Sequence, residues 1–414
     1  MRCLPLAALL LSLPTPLFAA ADPVFSDTGL DAAAYGAAQG YPVGGRAPPA
    51  QAQMVGSYSH YDRIWPFHCV AQAATPSPLR RAAQQIAATY KFRGATYTLD
   101  DYLARNPITG LLIARDDTIL FEHYQYGRTD NDRLLSQSMA KTIVALLLGI
   151  AIDEGRIHSV DDMADTYVPE LAGTAFGQTS LRALLHMASG VAFREDYDDR
   201  TADNVKLGRA LFSPSGAPSG PDPAQAVAMF NTRERPPDTH FNYGGVQTEV
   251  LGLVLAHATG MSPSAYLQSR IWQPMGAEAD AIWTVDHTGQ EVAYCCFNAV
   301  LRDWARLGLL LAHDGQANGR QIIPRQWLLD ATTQPPDSPF APRRAIGYMG
   351  YGYQVWVFPG PRRQFAFLGI HGQSIYVDPA AQLVMVQTAV RVPATGLRGE
   401  AVTLWNALVA QFAK

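Results

Sequence analysis

The sequence predicts a mixed α/β (α+β) fold in which one antiparallel sheet is built from both chain ends and a helical lobe is inserted between the halves. Three observations carry that expectation. A hairpin pattern lies at residues 109–126, apolar helical segments fill the middle of the chain, and strand patterns return from residue 352 onward. The 414 residues are enough for a large core, and no internal repeat is visible.

The first 21 residues carry Arg2, an apolar run from Leu4 to Leu13 and the small-residue end Ala19-Ala20-Ala21. They read as a secretory signal cut before Asp22, so the mature protein is expected to be exported, periplasmic or secreted. Cys3 stands too near the start to be a lipidation cysteine behind such a signal, and no membrane anchor is expected after cleavage. Residues 22–75, rich in Ala, Pro, Gly and Tyr, read as an extended arm. Residues 76–414 read as one domain whose helical lobe spans about 132–335.

Within that domain a helix is expected at 78–90. Segments 109–115 and 118–126, joined by Asp116-Asp117, read as a β-hairpin. From Thr142 to Ile152 the apolar residues leave no polar stripe, so a helix there is buried on all sides. Further helices are expected at 181–187, at 247–257 closed by Gly260, and at 299–312 closed by Asp314-Gly315. Residues 198–239, heavy in Pro, Gly, Asp and Arg, read as a long loop, either a lid over a site or surface decoration. Strands at 352–358, 365–370, 374–378 and 383–388, the last pair turned by Asp378-Pro379, and a helix from about 399 complete the chain.

Net charge is −4 and the arginines are scattered, with no basic stripe interleaved with aromatics. Nucleic acid is therefore not an expected partner, and a small molecule is. The apolar stretch 143–152 is shorter than the about 20 residues a membrane span needs. Three cysteines follow the signal. Cys69 could pair with Cys295 or Cys296 in an oxidising compartment, leaving one free thiol, or all three could be buried small hydrophobes. The chain has no Cys-x-x-Cys pair, no His-Glu-x-x-His helix, and ten dispersed histidines, so neither a metal nor another cofactor is expected.

Four lysines stand among 32 Lys and Arg, and one of them, Lys141, sits in the apolar run Ser138-Met-Ala-Lys141-Thr-Ile-Val-Ala-Leu-Leu-Leu. A buried ammonium is costly unless it is used. Ser138 lies three residues upstream, on the same helical face, so hydroxyl and amine can meet. Desolvation weakens the amine's hold on its proton, and a neutral lysine can take the proton of a serine. The pair reads as nucleophile and base. The plainer alternative is an N-cap serine followed by a lysine that snorkels to water. Two further segments stand out: Phe241-Asn-Tyr243-Gly-Gly245, a tyrosine in a glycine-rich turn before a helix, and Gly369-Ile-His371-Gly372-Gln373-Ser374, between two strand patterns.

In order and spacing, Ser138-x-x-Lys141, Tyr243-x-Gly245 and His371-Gly372-Gln373 resemble the three motifs of the penicillin-recognising serine hydrolases. The chain is similar above all to the β-lactamase-related branch that holds class C β-lactamase-like esterases and 6-aminohexanoate-dimer hydrolase. The likeness extends to 184–197, 246–260, 298–315 and 369–379, and covers about residues 80–414. It implies a β-lactamase/transpeptidase-like fold and a serine hydrolase acting through an acyl-enzyme on Ser138, with Lys141 and Tyr243 as proton shuttle. The resemblance also implies an oxyanion site made by the backbone N–H groups of Ser138 and Ser374. His371 would line the cleft and orient Tyr243 or the substrate, Gly245, Gly372 and Gln373 would border it, and Tyr197 would be a wall residue. Gly245 replaces the Asn of the second motif, and Gln373 follows His371-Gly372 where a glycine is usual. The missing Asn argues against efficient β-lactam hydrolysis. The expectation is an exported hydrolase of a small linear amide or ester; a D,D-peptidase or weak β-lactamase, and a non-catalytic ligand-binding module, are the alternatives.

Overall fold

The main sheet runs in the order Val24–Phe25, Thr118–Tyr124, Ile108–Arg115, Leu383–Ala389, Ser374–Asp378, Phe365–Leu368, Trp356–Val357, Gly350–Tyr351, with Arg80–Arg81 also pairing with Thr118–Tyr124. Strands from both chain ends meet at its centre, where Ile108–Arg115 pairs antiparallel with Leu383–Ala389. The computed structural model describes residues 20–46, 48–212, 220–393 and 399–412, so the expected signal lies almost wholly outside the described residues.

The central strands are apolar at nearly every position because both faces are covered. Leu111, Ile113, Leu383 and Met385 join Leu404, Trp405 and Leu408 of the C-terminal helix Gly399–Phe412 in one core. Their neighbours Leu112, Ala114, Val384 and Val386 face the other way, into the larger core with Trp304 and Leu307. That alternation is the two-residue period of a strand, expressed twice. The helix Leu301–Ala312 lies close on the sheet: a Cβ at Gly308 would stand 2.6 Å from Val384 Cγ1. Only glycine permits that approach.

The hairpin expected at 109–126 forms, with Asp116 in the left-handed region at φ 54°. The apolar helix is Met139–Asp153, buried along all but its last two residues. Leu181–Leu185, Gly245–Thr259 with Gly260 as its left-handed C-cap, and Leu301–Ala312 occupy the other expected helical positions. They form the inserted lobe, together with the short helices Asp203–Leu211 and Pro223–Ala228 inside what the sequence suggested was one long loop. Residues 213–219 of that loop lie outside the described residues.

Several expectations need correction. The segment 78–90 is not a helix. Arg80 gives its N–H to Asp117 O at 2.7 Å and Ala82 to Ile119 O at 3.0 Å, so the sheet edge captures the segment and overrides its helical propensity. Two edge pairings, of Val24–Phe25 and of Arg80–Arg81, are parallel, so the sheet is antiparallel except at that edge. The arm at 22–75 is knitted into the body. It carries the helix Gln51–Ser59 and the strand Phe67–Val70, which joins a second sheet in the order Phe67–Val70, Ala281–Thr284, Phe297–Ala299, Leu134–Leu135.

The strand expected at 352–358 is instead a tight hairpin between Gly350–Tyr351 and Trp356–Val357. At its tip Gln354 turns inward at φ 57° and is buried. Its amide nitrogen donates to Leu184 O at 2.8 Å, its amide oxygen accepts from Thr248 Oγ1 at 2.7 Å, and its backbone carbonyl accepts from Thr142 Oγ1 at 2.7 Å. One residue of the C-terminal half thus ties three helices of the lobe.

Cys69 does not pair with Cys295 or Cys296. Those two are joined to each other, with Cα atoms 3.8 Å apart, and Cys69 is an exposed free thiol. The strand Ala281–Thr284 separates the strand of Cys69 from the one that follows Cys296. Two strand spacings, roughly 9–10 Å, exceed the about 7 Å that a disulfide can span. Among the described residues no single helix is long and apolar enough to cross a membrane; Gly245–Thr259 and Pro263–Trp272 pass together by length and composition only, bent by 72°.

Candidate active site

The nucleophile candidate sits where a strand turns into a helix. Leu134–Leu135 pairs with Phe297–Ala299, and Ser136 fixes the turn: its N–H donates to Phe297 O at 2.8 Å and its Oγ accepts the Phe297 N–H at 3.0 Å. Gln137 then takes a left-handed φ of 45°, which brings Ser138 to the head of the helix. Ser138 makes no side-chain capping hydrogen bond. Lys141 Nζ lies 2.8 Å from Ser138 Oγ and donates to Tyr294 O at 2.9 Å. At 2 % exposure this lysine does not snorkel. Both features of the plainer alternative, a capping serine and a solvated lysine, are absent here. Burial pushes the amine down from 10.5 to about 8, while the carboxyls of Glu195 and Glu249 act in the opposite direction.

Tyr243 comes from the turn before the helix Gly245–Thr259. Its ring centroid is 5.2 Å from Lys141 Nζ, and it stacks on Trp356 at 5.7 Å with Tyr351 edge-on at 6.1 Å. The aromatic group of the C-terminal hairpin therefore holds the tyrosine beside the lysine. Tyr197 and Gly245 are brought together by a residue to which the sequence reading gave no role, Glu195. Its carboxylate accepts the Gly245 N–H at 2.6 Å and the Tyr197 hydroxyl proton through its other oxygen. A carboxylate at the first residue of a helix also suits the helix dipole. The only signal for this in the sequence was the position of Glu195 two residues before Tyr197.

Ser138, Glu195, Tyr197, Gly245, Tyr294 and the Cys295–Cys296 pair border a cavity of about 190 Å³. Phe193, Leu207, Phe212, Tyr61 and Ile370 make its wall largely apolar, and Glu195 is the one charged side chain among its described lining residues. Tyr294 also lacked any signal in the sequence. A Cβ at Gly245 would meet the Tyr294 ring at 3.1 Å. The tyrosine thus crowds the place where the usual Asn of the second motif would begin.

The third segment is placed differently from its expected role. Ile370 reaches the cavity, but His371, at φ 63°, directs Nδ1 to Arg391 O at 2.7 Å and packs its ring on Tyr58 at 5.6 Å. Burial lowers its proton affinity, and the carbonyl partner makes Nδ1 a donor. It braces the turn between the strands Phe365–Leu368 and Ser374–Asp378 against the chain just beyond Leu383–Ala389. Gln373 is buried, with its amide exchanging hydrogen bonds with Ala389 at 2.6 and 3.1 Å. Gly372 O accepts from Gln387 Nε2 at 2.7 Å. Gln373 and Gly372 secure the end of the strand Leu383–Ala389 and do not line the described cavity. Ser374 opens the strand Ser374–Asp378, is buried, and is paired with Leu368 on one side and Gln387 on the other, so it does not line the described cavity as an oxyanion donor would. Among the described residues no group of three or more His, Cys, Asp or Glu side chains is arranged to hold a metal ion.

The beta-lactamase family profile matches residues 79–406. The chain belongs to the beta-lactamase family. Within it, the protein is 28 % identical over 298 residues to the 6-aminohexanoate-dimer hydrolase of Paenarthrobacter ureafaciens, covering 70 % of this chain and 74 % of that one. A Bacillus anthracis structure, assigned provisionally as a 6-aminohexanoate-dimer hydrolase, superposes with a TM-score of 0.76 at 25 % identity over 87 % of this chain and 93 % of its own. The fold alone is shared with a D-stereospecific amidohydrolase from Streptomyces, at TM-score 0.54 and 18 % identity over 73 % of this chain and 94 % of that one. This beta-lactamase family member is a serine hydrolase with the β-lactamase/transpeptidase-like fold.

Proposed function

We propose that the protein is an exported serine hydrolase that cleaves a small linear amide or ester through an acyl-enzyme on Ser138. The observation that carries this reading is the 2.8 Å contact between Ser138 Oγ and a fully buried lysine whose proton affinity is lowered to about 8. In its neutral form Lys141 takes the hydroxyl proton as Oγ attacks the substrate carbonyl carbon. Tyr243, whose ring lies over the amine, passes that proton to the leaving group. Negative charge on the carbonyl oxygen would be held by the N–H group of Ser138, at the positive end of a helix. Water then enters, and the same groups return the proton as the acid leaves.

A linear substrate fits the lining better than a β-lactam does. Tyr294 crowds the position from which an Asn would meet a lactam amide, and the wall is aromatic and aliphatic with a single carboxylate. The relative from Paenarthrobacter bears a name that denotes a linear amide as substrate, which supports the same class. The D,D-peptidase or weak β-lactamase reading is second, and it gains from export alone.

Incubation with a fluorophosphonate probe and a panel of p-nitrophenyl esters, linear amides and nitrocefin tests the reading. Labelling at Ser138 with ester or amide turnover is expected; preferential nitrocefin turnover would promote the second reading, and no labelling would remove the first. Edman sequencing of the processed chain tests export, with Asp22 expected as the first residue.

A further inference from the structure

Glu249 is a buried carboxyl that the mechanism above does not use. It lies four residues, about one turn, after Gly245 on the same helix and is 1 % exposed. Its Oε2 accepts the Ala293 N–H at 2.9 Å, and the carboxyl also takes the N–H of Tyr294. Tyr294 in turn supplies the carbonyl that receives Lys141 Nζ at 2.9 Å. A continuous chain of hydrogen bonds therefore runs from Glu249 through the 293–294 backbone to the amine beside Ser138.

A carboxyl is a costly way to hold two backbone N–H groups in a dry interior, since an uncharged acceptor would serve without the desolvation penalty. The position beneath Lys141 supplies a reason. We propose that Glu249 is a positioning residue for Lys141, clamping the Ala293–Tyr294 peptide so that the Tyr294 carbonyl meets the amine and holds it toward Ser138. The proposal rests on the reading of Ser138 and Lys141 as nucleophile and base.

The two groups are also linked through charge. Burial pushes the Glu249 carboxyl up to about 8, with Asp286 and Glu291 from the turn beyond Ala281–Thr284 acting in the same direction. Glu291 is itself paired with His68 of the strand Phe67–Val70 at 2.8 Å. Lys141, also near 8, faces Glu195 and Glu249, with the rings of Tyr243 and Tyr294 on either side. Groups that titrate in one range and face each other share their protons, so each ionised Glu249 strengthens the lysine's hold on its own. The sign follows. Without that charge, Lys141 becomes neutral at lower pH, and the acid limb of kcat/KM moves down.

The experiment compares Glu249→Gln and Glu249→Ala with wild type in kcat and KM for a p-nitrophenyl ester across pH, with thermal melts of each. Glutamine keeps one acceptor oxygen, and alanine keeps none. Glu249→Ala should lose about 10- to 100-fold in kcat with KM within about threefold. Glu249→Gln should retain more of kcat and shift the acid limb to lower pH. A merely structural glutamate would lower the melting temperature without moving the limb. Wild-type kcat in Glu249→Ala, or an unshifted limb in Glu249→Gln, overturns the assignment; if Glu249→Ala does not fold, the limb in Glu249→Gln decides. Ser138→Ala and Lys141→Arg run alongside. Turnover surviving in either overturns the reading of the site itself, whereas two inactive controls with wild-type Glu249 variants overturn the clamp alone.

Discussion

Gly245 and Tyr294 compete for one space: a Cβ on the glycine would stand 3.1 Å from the Tyr294 ring, and the Tyr294 carbonyl is a hydrogen-bond partner of Lys141. A change at 245 therefore reaches the base through its neighbour.

Gly245→Asn should not install an amide-recognition group. The backbone there is not left-handed, so asparagine is conformationally acceptable, but its Cβ forces the Tyr294 ring to give by a few tenths of an ångström, and the carbonyl held by Lys141 belongs to that same residue. Turnover of p-nitrophenyl acetate and of nitrocefin should both fall about tenfold or more. In Gly245→Asn/Tyr294→Ala, where room exists, the ratio of kcat/KM for nitrocefin to that for the ester should rise above wild type. An active Gly245→Asn single variant would show that Tyr294 moves aside freely.

Ser138→Ala should abolish labelling and turnover while changing stability by about 1 kcal/mol or less, since the hydroxyl caps no helix. Mass spectrometry of the probe adduct checks this. An adduct at Ser136 would be a surprise, because that hydroxyl is fully buried and pinned to Phe297.

Lys141→Ala should lower acylation by roughly 100- to 10,000-fold, and Lys141→Arg should not restore it, because arginine stays protonated. In wild type, kcat/KM should rise with pH up to about 8, where the amine becomes neutral, and level off above. A plateau already reached near pH 6 would mean that another group is the base.

The same burial has an opposite effect on stability. A lysine whose folded-state proton affinity is depressed binds its proton more readily in the unfolded chain, so its cost is full below about pH 8 and fades toward 10.5. Lys141→Met should therefore be inactive yet more stable than wild type by roughly 1–3 kcal/mol at pH 7. Urea titrations at pH 7 and pH 10 should show the difference shrinking at the higher value.

Gln354→Leu should cost about 2–4 kcal/mol, because Leu184 O and Thr248 Oγ1 lose their partner in a dry interior. Leucine keeps the backbone carbonyl that receives Thr142 on the Ser138 helix, so kcat of the folded enzyme should stay close to wild type. Chemical denaturation and steady-state kinetics on the same preparation measure both.

What the sequence revealed and concealed divides along physical lines. The hairpin at 109–126, the apolar helix after Ser138 and the helix ended by Gly260 were legible because their signals are local: period, turn residues, caps. So was the Ser138–Lys141 contact, which one helical turn guarantees. The segment 78–90 was not, because its Ala- and Gln-rich composition favours a helix and only the unpaired N–H and C=O groups of Thr118–Tyr124 favour a strand. Glu195, Tyr294 and Glu249 come from separate segments and meet only through tertiary packing. Gln373 was misplaced for a related reason: its position in the motif suggested the cleft, whereas its amide is taken by Ala389 on the next strand.

The adjacent Cys295–Cys296 link gives the enzyme two chemical forms that differ by two hydrogens. Both residues border the cavity beside Ser138, and the segment they close begins at the carbonyl that holds Lys141. With the sulfurs joined, that wall is a small rigid ring. As two thiols, Cys296 loses the closure that accompanies its left-handed φ of 70°. Protein matured in a reducing cytosol and protein matured in an oxidising compartment are then different reagents, and an intact mass alone distinguishes them before any rate is compared.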